Sequence, residues 1–313
     1  MDMQIPDALL RVTQPPAEYR VAGSPGYAFS RQLNAQYHPQ TAALWVRWSP
    51  APRPCFNPGL LRALGDCARL IEAGRGALAW NGERLPLHYT VLASSTPGVF
   101  NLGGDLDLFL RLIESRDRAA LVDYGKSCIH VLYRNYVAHG LPLTTISLVQ
   151  GECLGGGFEA ALSSDIVIAE RHARFGFPEI LFNLFPGMGA YSFLERRVGR
   201  RMAEEIIATG KTYSADDMLA IGVVDSVADS GQGAAQVEAL IQRRRSRNGL
   251  QGLAAARRRV SRVTHEELVD VVELWADCAL RLTPRDLKLM QRLVARQTQA
   301  CGSPPEDAAV ALH

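Results

Sequence analysis

The segment GECLGGGFE at residues 151–159 decides how the rest of this chain is interpreted. It follows residues 143–149 (LTTISLV), an apolar run that predicts a buried strand. Its glycines predict a tight turn that opens a short helix, because glycine adopts backbone conformations that other residues avoid. The first N–H groups of a helix have no partner within it and lie at the positive end of its dipole. The segment therefore predicts free backbone donors that face a ligand.

A second glycine-rich loop lies upstream, at residues 102–105 (LGGD), and also follows a predicted strand, residues 89–94 (YTVLAS). Two N–H groups from separate loops can polarise one carbonyl oxygen. Such an oxyanion hole stabilises negative charge that develops on oxygen during a reaction. The two loops together predict a site of this kind.

Two glutamates accompany these loops. Glu159 lies one turn into the predicted helix, and Glu179 follows a proline that suggests another helix start. Both lie in apolar sequence, at residues 158–162 and 175–182. Apolar surroundings disfavour the charged form of a carboxyl group and raise its pKa towards the range useful for proton transfer. The pair is therefore predicted to act as a general acid and a general base.

The glycine segment also fits a dinucleotide-binding fingerprint. Gly155, Gly157 and Ala160 have the required spacing, and Glu170 ends the next predicted strand. The helix between the two strands has only about seven residues, which is short for the usual crossover between parallel strands. This length argues against a dinucleotide site.

The remaining sequence predicts three regions. Residues 1–40 are interrupted by prolines and predict an irregular N-terminal arm. Residues 41–230 alternate strands with helices and predict the core that holds the active site. Residues 231–313 predict a C-terminal helical region. The fold class expected from this order is α/β with helices appended at the C-terminus.

Composition excludes several classes of protein. With 313 residues, 47% hydrophobic and 21% charged, the chain is expected to be globular, and a net charge of +2 does not point to nucleic acid. No apolar run approaches the length of a membrane span. Six scattered cysteines predict reduced thiols and a cytoplasmic location, and the histidines lack metal-ligand spacing, so no metal is expected.

Several motifs in order carry a family resemblance. Besides residues 151–159, they are residues 99–106 (VFNLGGDL), 175–179 (FGFPE) and 185–189 (FPGMG). Over roughly residues 85–230 the chain resembles the crotonase (enoyl-CoA hydratase) superfamily. The resemblance implies a crotonase-like spiral core of ββα units, a C-terminal helical trimerisation region, and a homotrimer or a dimer of trimers.

The resemblance also implies roles for particular residues. Gly104 and Gly156 would supply the N–H groups of the oxyanion hole. Glu159 and Glu179, twenty positions apart as in the hydratases, would form the catalytic pair. No cofactor is implied.

One segment of this chain departs from the usual hydratase sequence and indicates a narrower group within the superfamily. Ordinary hydratases usually carry P-G-x-G-G-T-Q-R where residues 186–193 read PGMGAYSF. Residues 184–193, together with residues 99–106, 149–151 and 157–163, are similar to the synthases of diffusible signal factor, a cis-2-unsaturated fatty acid used in quorum sensing. The similarity implies dehydration of a 3-hydroxyacyl thioester on acyl carrier protein, thioester hydrolysis, and association with a sensor kinase. The alternatives are a conventional hydratase of CoA thioesters and a non-catalytic acyl-binding regulatory protein.

An apolar tunnel would hold the acyl chain. The candidate substrate-binding residues are Leu102, Gly103, Leu154, Gly155, Leu184, Met188 and Gly189. Leu181, Phe185 and Trp275 are further candidates for the tunnel wall, although ordinary core packing explains any one of them equally well.

Three other features have plainer interpretations. Eight arginines between residues 243 and 262 predict a solvated helix face or a dock for acidic acyl carrier protein. Cys153 is expected to be a small packed residue, and Asp105 to cap the helix that follows it.

Overall fold

Two sheets form the centre of the computed structural model, which describes residues 25–244 and 248–299. The strands are β1 (Gly26–Ser30), β2 (Leu33–His38), β3 (Ala43–Trp48), β4 (Ala77–Trp80), β5 (Glu83–Pro86), β6 (Tyr89–Ser94), β7 (Val99–Asn101), β8 (Thr144–Val149), β9 (Glu152–Leu154), β10 (Ile166–Glu170), β11 (Arg174–Gly176), β12 (Thr212–Ser214) and β13 (Ser226–Ala228). The larger sheet has the order β1-β2-β3-β6-β8-β10-β13, the smaller has the order β12-β11-β9-β7, and β4 pairs with β5.

Helices cover these sheets. They are α1 (Pro58–Gly74), α2 (Leu106–Glu114), α3 (Arg118–Tyr136), α4 (Gly156–Leu162), α5 (Ala190–Val198), α6 (Arg200–Thr209), α7 (Ala215–Ala220), α8 (Gly233–Arg244), α9 (Asn248–Val260), α10 (His265–Ala279) and α11 (Pro284–Gln299). Two 3₁₀ helices lie at Ala138–Gly140 and Pro178–Phe182. Within the ranges that the structure describes, no helix is both long and apolar enough to cross a bilayer.

The chain passes repeatedly from the larger sheet to the smaller one. Strands β6, β8 and β10 lie parallel in the larger sheet, and the strands that follow them, β7, β9 and β11, lie parallel in the smaller sheet. Each pair of strands leads into helical structure. This repeat is the spiral of ββα units, and the predicted α/β crotonase-like fold class is confirmed.

Local sequence explains the first long helix. Asn57 accepts a hydrogen bond from the Leu60 N–H at 2.9 Å, and Pro58 occupies the first turn. The helix includes Gly74, and Arg75 takes the left-handed conformation that ends it, with φ of 47°.

The N-terminal prediction needs a correction. Residues 26–38 are not irregular but form the hairpin β1–β2, which extends the larger sheet through pairing of β2 with β3. Burial alternates along β2, where Leu33, Ala35 and Tyr37 face the core. That alternation was a usable signal, although nearby prolines obscured it. Residues 1–24 lie outside the described residues.

The C-terminal helices pack on the core in different ways. Val237 and Ile241 of α8 are buried against the larger sheet, so the region after residue 230 does not stand apart from it. From α9, Arg257 donates to the buried Asp165 carboxylate at 2.8 Å, and Arg258 also donates to it. These two arginines tie α9 to the core and correct the prediction of a wholly solvated face, whereas Arg245 and Arg247 lie outside the described residues.

Candidate active site

Three neighbouring strand ends assemble the site. Strands β7, β9 and β11 run parallel, so their carboxyl ends lie at one edge of the smaller sheet. The loop at residues 102–105 follows β7, Gly155 follows β9, and Glu179 comes three residues after the end of β11. The topology therefore places side by side segments that are far apart in the sequence.

The two glycine loops touch through their backbones. Gly103 has φ of +96°, and a Cβ atom built there would lie 2.9 Å from the Gly156 nitrogen and 3.1 Å from the Leu154 carbonyl oxygen. A Cβ on Gly156 would lie 3.4 Å from the Gly104 nitrogen. Only glycine permits this approach. Among the described residues, neither the Gly104 nor the Gly156 N–H donates a hydrogen bond, and both glycines line one cavity.

Several hydrogen bonds fix the upstream loop. Asn101 Oδ1 accepts from the Gly103 N–H at 2.8 Å, and the Phe56 N–H donates to the Gly103 carbonyl at 2.8 Å. Asp105 accepts from the Leu108 N–H at 3.2 Å, which confirms its predicted role as the cap of α2. These bonds use the other backbone groups of the loop and leave the Gly104 N–H for a ligand.

Glu159 is buried at the end of the cavity. Its side chain projects from α4, the residue is 1% exposed, and its Oε1 accepts from the N–H groups of Met188 at 2.8 Å and Ala190 at 3.0 Å. Burial raises the pKa of Glu159 to about 7, and the two backbone donors oppose that shift. Because these donors favour an anionic oxygen, they favour the charged form of Glu159.

Glu179 lies opposite, in the 3₁₀ helix after β11. Burial, together with the nearby charge of Glu159, raises the pKa of Glu179 to about 8. Its Oε2 accepts no hydrogen bond among the described residues. A Cβ on Gly155 would lie 2.3 Å from Glu179 Oε1, so this glycine makes room for the carboxyl group.

The two carboxyl groups share a proton near neutral pH. Two like charges in one buried site raise the pKa of the pair, which then titrates as a unit. The backbone donors favour the negative charge on Glu159 and the proton on Glu179.

The cavity between the carboxyls and the glycine loops is otherwise apolar. Leu102, Leu184, Met188 and Trp275 line it, as expected. Sequence reasoning missed walls that come from distant elements: Phe56, Leu61, Leu106, Phe109, Tyr124, Cys128, Val131, Leu132, Pro178, Phe182, Pro186 and Gly187. For the wall residues that lie in α1, α2 and α3, the spacing carried only the signal of a buried helix face.

Other predicted substrate-binding residues do not line this cavity. Gly103 and Gly155 shape the two loops, and Gly189 precedes α5 with φ of 113°. Leu154 lines an adjoining groove, because its strand turns it away from the cavity.

Two of the further tunnel candidates are also placed elsewhere. Leu181 lines that adjoining groove and is exposed, and Phe185 packs against the core.

Most cysteines in the described part of the chain are buried. The described cysteines are free thiols, and Cys153 beside the glycine turn is fully buried, with burial raising its pKa well above the usual value. It is the small packed residue that was predicted. In the described part of the chain, no three His, Cys, Asp or Glu side chains are placed to hold a metal ion.

Comparisons with known proteins agree with this architecture. A family model described as enoyl-CoA hydratase/isomerase matches residues 86–275. Among solved structures, DspI from Pseudomonas aeruginosa is 23% identical with a TM-score of 0.63, covering 79% of this chain and 93% of that one.

Two further structures are similarly distant. Human mitochondrial delta3-delta2-enoyl-CoA isomerase is 20% identical with a TM-score of 0.69, covering 87% of this chain and all of that one. Enoyl-CoA hydratase from Bacillus halodurans is 20% identical with a TM-score of 0.66, covering 86% and 99%. At these identities the likeness shows a shared fold.

Proposed function

This chain belongs to the enoyl-CoA hydratase/isomerase family, and from that premise we propose that it makes a cis-2-unsaturated fatty acid. The substrate would be a 3-hydroxyacyl thioester on acyl carrier protein. The enzyme would first eliminate water and then hydrolyse the thioester, releasing the free acid and the carrier thiol. The product class follows from the resemblance of residues 184–193 to diffusible signal factor synthases.

One observation carries the catalytic part of this proposal. Two carboxyl groups with raised pKa values share an apolar cavity with two unpaired N–H groups, those of Gly104 and Gly156. A thioester carbonyl bound between these donors would place its carbon chain beside both carboxyls. This arrangement suits removal of a proton next to a carbonyl group.

The dehydration would use both glutamates. Glu179 would take the proton from the carbon next to the thioester, and the Gly104 and Gly156 N–H groups would stabilise the enolate oxygen. The enolate electrons would then form the carbon–carbon double bond while the bond to the 3-hydroxyl breaks. Glu159 would donate its proton to that leaving oxygen, so one water molecule departs.

The hydrolysis would begin from the state that dehydration leaves. Glu159 would then be charged and Glu179 neutral, which is the distribution favoured by the backbone donors at Met188 and Ala190. Glu159 would accept a proton from water as it attacks the thioester carbonyl. The same two N–H groups would hold the tetrahedral oxyanion until the carrier thiol leaves with a proton.

The partners remain part of the proposal. Acyl carrier protein, or CoA, would present the thioester, and the exposed Arg259 of α9 and Arg262 just after it would contact an acidic partner. A homotrimer or a dimer of trimers, and a sensor kinase partner, are expected from the family resemblance, as is a cytoplasmic location.

A second candidate is a conventional enoyl-CoA hydratase. The resting proton distribution favours it specifically, because adding water to an enoyl thioester needs a charged base for water and a neutral acid for the carbon. Glu159 in its charged form would be the base for water, and Glu179 in its neutral form would be the acid for the carbon. Hydration would leave the thioester intact, whereas the proposed synthase releases a free acid.

The decisive experiment is incubation of the purified protein with 3-hydroxydodecanoyl-acyl carrier protein and with the CoA thioester, followed by mass spectrometry. The proposal expects free cis-2-dodecenoic acid from the carrier substrate, lost in Glu159→Gln and in Glu179→Gln. Interconverting thioesters without free acid would support the hydratase instead. No turnover on either substrate would favour the non-catalytic acyl-binding protein.

A further inference from the structure

A second cavity lies directly behind the active-site cavity. The two share three wall residues, Phe56, Val131 and Leu132. Helix α4 faces both, with Glu159 lining the first and the next residue, Ala160, lining the second. The two cavities therefore adjoin at α4, and an acyl chain that passed these shared walls would reach the second one.

The far cavity holds two buried polar atoms without partners. Thr90 on β6 is 1% exposed, and its hydroxyl has no hydrogen-bond partner among the described residues. His139, in the 3₁₀ helix after α3, is 8% exposed, and its Nδ1 has none either. Both residues line the cavity. Buried polar groups are normally paired, so two unpaired ones facing one space indicate a ligand group or water between them.

Charge limits what this ligand can be. Among the described residues, no ionised side chain lines the far cavity. The nearby Arg134 is paired with Glu72, and both are buried outside the cavity wall. Burial lowers the pKa of His139 to about 3, so the ring is neutral. A charged group would pay an uncompensated desolvation cost there, whereas a neutral hydroxyl can both donate and accept.

The remaining walls select for the rest of the ligand. They include the buried apolar side chains Trp48 from β3 and Leu64, Cys67 and Ile71 from α1. Asn135 and Ser163 also line the cavity, and their side chains are hydrogen-bonded to each other at 2.9 Å. An aliphatic segment fits between such walls, and only its end would meet Thr90 and His139.

We propose that this cavity binds the distal end of the acyl chain and recognises a neutral hydroxyl group there, through Thr90 and His139. The inference rests on the proposed function, in that an acyl chain occupies the first cavity. It extends that function by naming the substrate class as ω-hydroxylated acyl chains.

Binding of free acids tests this without requiring turnover. A homologous series of saturated fatty acids and the matching ω-hydroxy acids would be titrated into the protein by calorimetry. At the chain length that spans both cavities, the ω-hydroxy acid is expected to bind about fivefold tighter than its parent, the effect of one net hydrogen bond. Shorter chains should show no such preference.

Two variants of Thr90 assign the effect to this site. Thr90→Val keeps the branched shape in the strand but removes the hydroxyl, so it should abolish the preference and make the two acids bind equally well. Thr90→Ser keeps the hydroxyl and should retain the preference. Circular dichroism and melting temperature confirm that both variants fold.

Each outcome decides the matter. Equal affinity of the two acids at every chain length, or a preference that survives Thr90→Val, overturns the proposal. Binding of neither series overturns it as well. If the ω-hydroxy acid binds tighter, if this difference depends on Thr90, and if no thioester is turned over, the distal site is supported. Only the proposed synthase activity is then contradicted.

Discussion

Two buried carboxyl sites in this molecule differ in what surrounds them. Glu72 on α1 meets Arg134 on α3, with 3.1 Å between Oε1 and Nε and both side chains 4% exposed. Glu159 and Glu179 meet each other, and among the described residues no cationic side chain lines their cavity. Burial raises the pKa of all three glutamates, but Arg134 lowers that of Glu72 whereas Glu159 further raises that of Glu179.

The difference shows that burial alone does not make a carboxyl group useful for chemistry. Beside Arg134, the charged form of Glu72 is compensated by a cation, which does not exchange protons with it. Beside a second carboxyl, a proton is shared and can pass to a bound ligand. Experiments that exchange or remove the partner in each site separate the two cases.

The largest expected effect is on activity. Glu159→Gln should lower turnover by about 10²–10⁴-fold, because the amide can neither donate nor accept the reacting proton as a carboxyl does. At or below pH 4.5, where the native carboxyl is neutral, stability should hold within about 0.5 kcal/mol, since the amide oxygen can still accept from Met188 and Ala190. Product formation and urea unfolding measure the two effects. Turnover within tenfold of wild type would contradict the assigned role.

A large effect on stability is expected at the other site. Arg134→Met should destabilise the fold by about 3–5 kcal/mol, because it leaves Glu72 buried without its cation. Urea unfolding measures this loss. The matched control is Arg111→Met, which breaks the exposed pair with Asp107 and should cost at most about 0.5 kcal/mol. Similar losses of stability in Arg134→Met and Arg111→Met would show that burial does not increase the cost of breaking an ion pair in this protein.

The pH dependence of stability gives an intermediate effect. The pKa values of Glu159 and Glu179 rise from 4.5 to about 7 and about 8 on folding, so between these limits the folded state binds more protons than the unfolded state. The contribution of these two groups to the free energy of unfolding is therefore fully present below pH 4.5. It declines as the pH rises to about 8, by up to about 1.4 kcal/mol per pH unit for each group. Unfolding curves across this range measure the slope.

The double variant Glu159→Gln with Glu179→Gln provides the control for that slope. It removes both titrating groups and should flatten the decline relative to wild type. An equally steep decline in the variant would assign the pH dependence to other residues.

The smallest effect should come from replacing the whole ion pair. Glu72→Leu combined with Arg134→Met removes both charges and fills the space with apolar atoms, so stability should stay within about 1 kcal/mol of wild type. Denaturant unfolding beside the single Arg134→Met variant measures the recovery. A double variant as unstable as the single one would mean that Arg134 stabilises the fold by other contacts.

Sequence reasoning succeeded where the signal was local. The glycines of the two loops, the spacing of Glu159 and Glu179, and the cap at Asn57 can each be interpreted from neighbouring residues. The hairpin at residues 26–38 was missed because its alternating pattern is short and lies beside prolines.

The walls of the active-site cavity could not be predicted in the same way. Phe56 lies in the segment before α1 and Tyr124 lies in α3, and nothing in their local sequence shows that they face the same space as Gly104. Glu72 likewise lies in apolar sequence, much as Glu159 does, and only Arg134 from another helix distinguishes it.

The sequence by itself determined which groups can do chemistry, because glycine turns and carboxyls in apolar surroundings depend on residue type and short spacing. Only the tertiary structure decided where the shared proton rests, since that depends on backbone donors at Met188 and Ala190, far along the chain from Glu159. It also decided that Thr90 and His139 face a common cavity. Parallel strands and packed helices create such contacts over long separations, which no local pattern records.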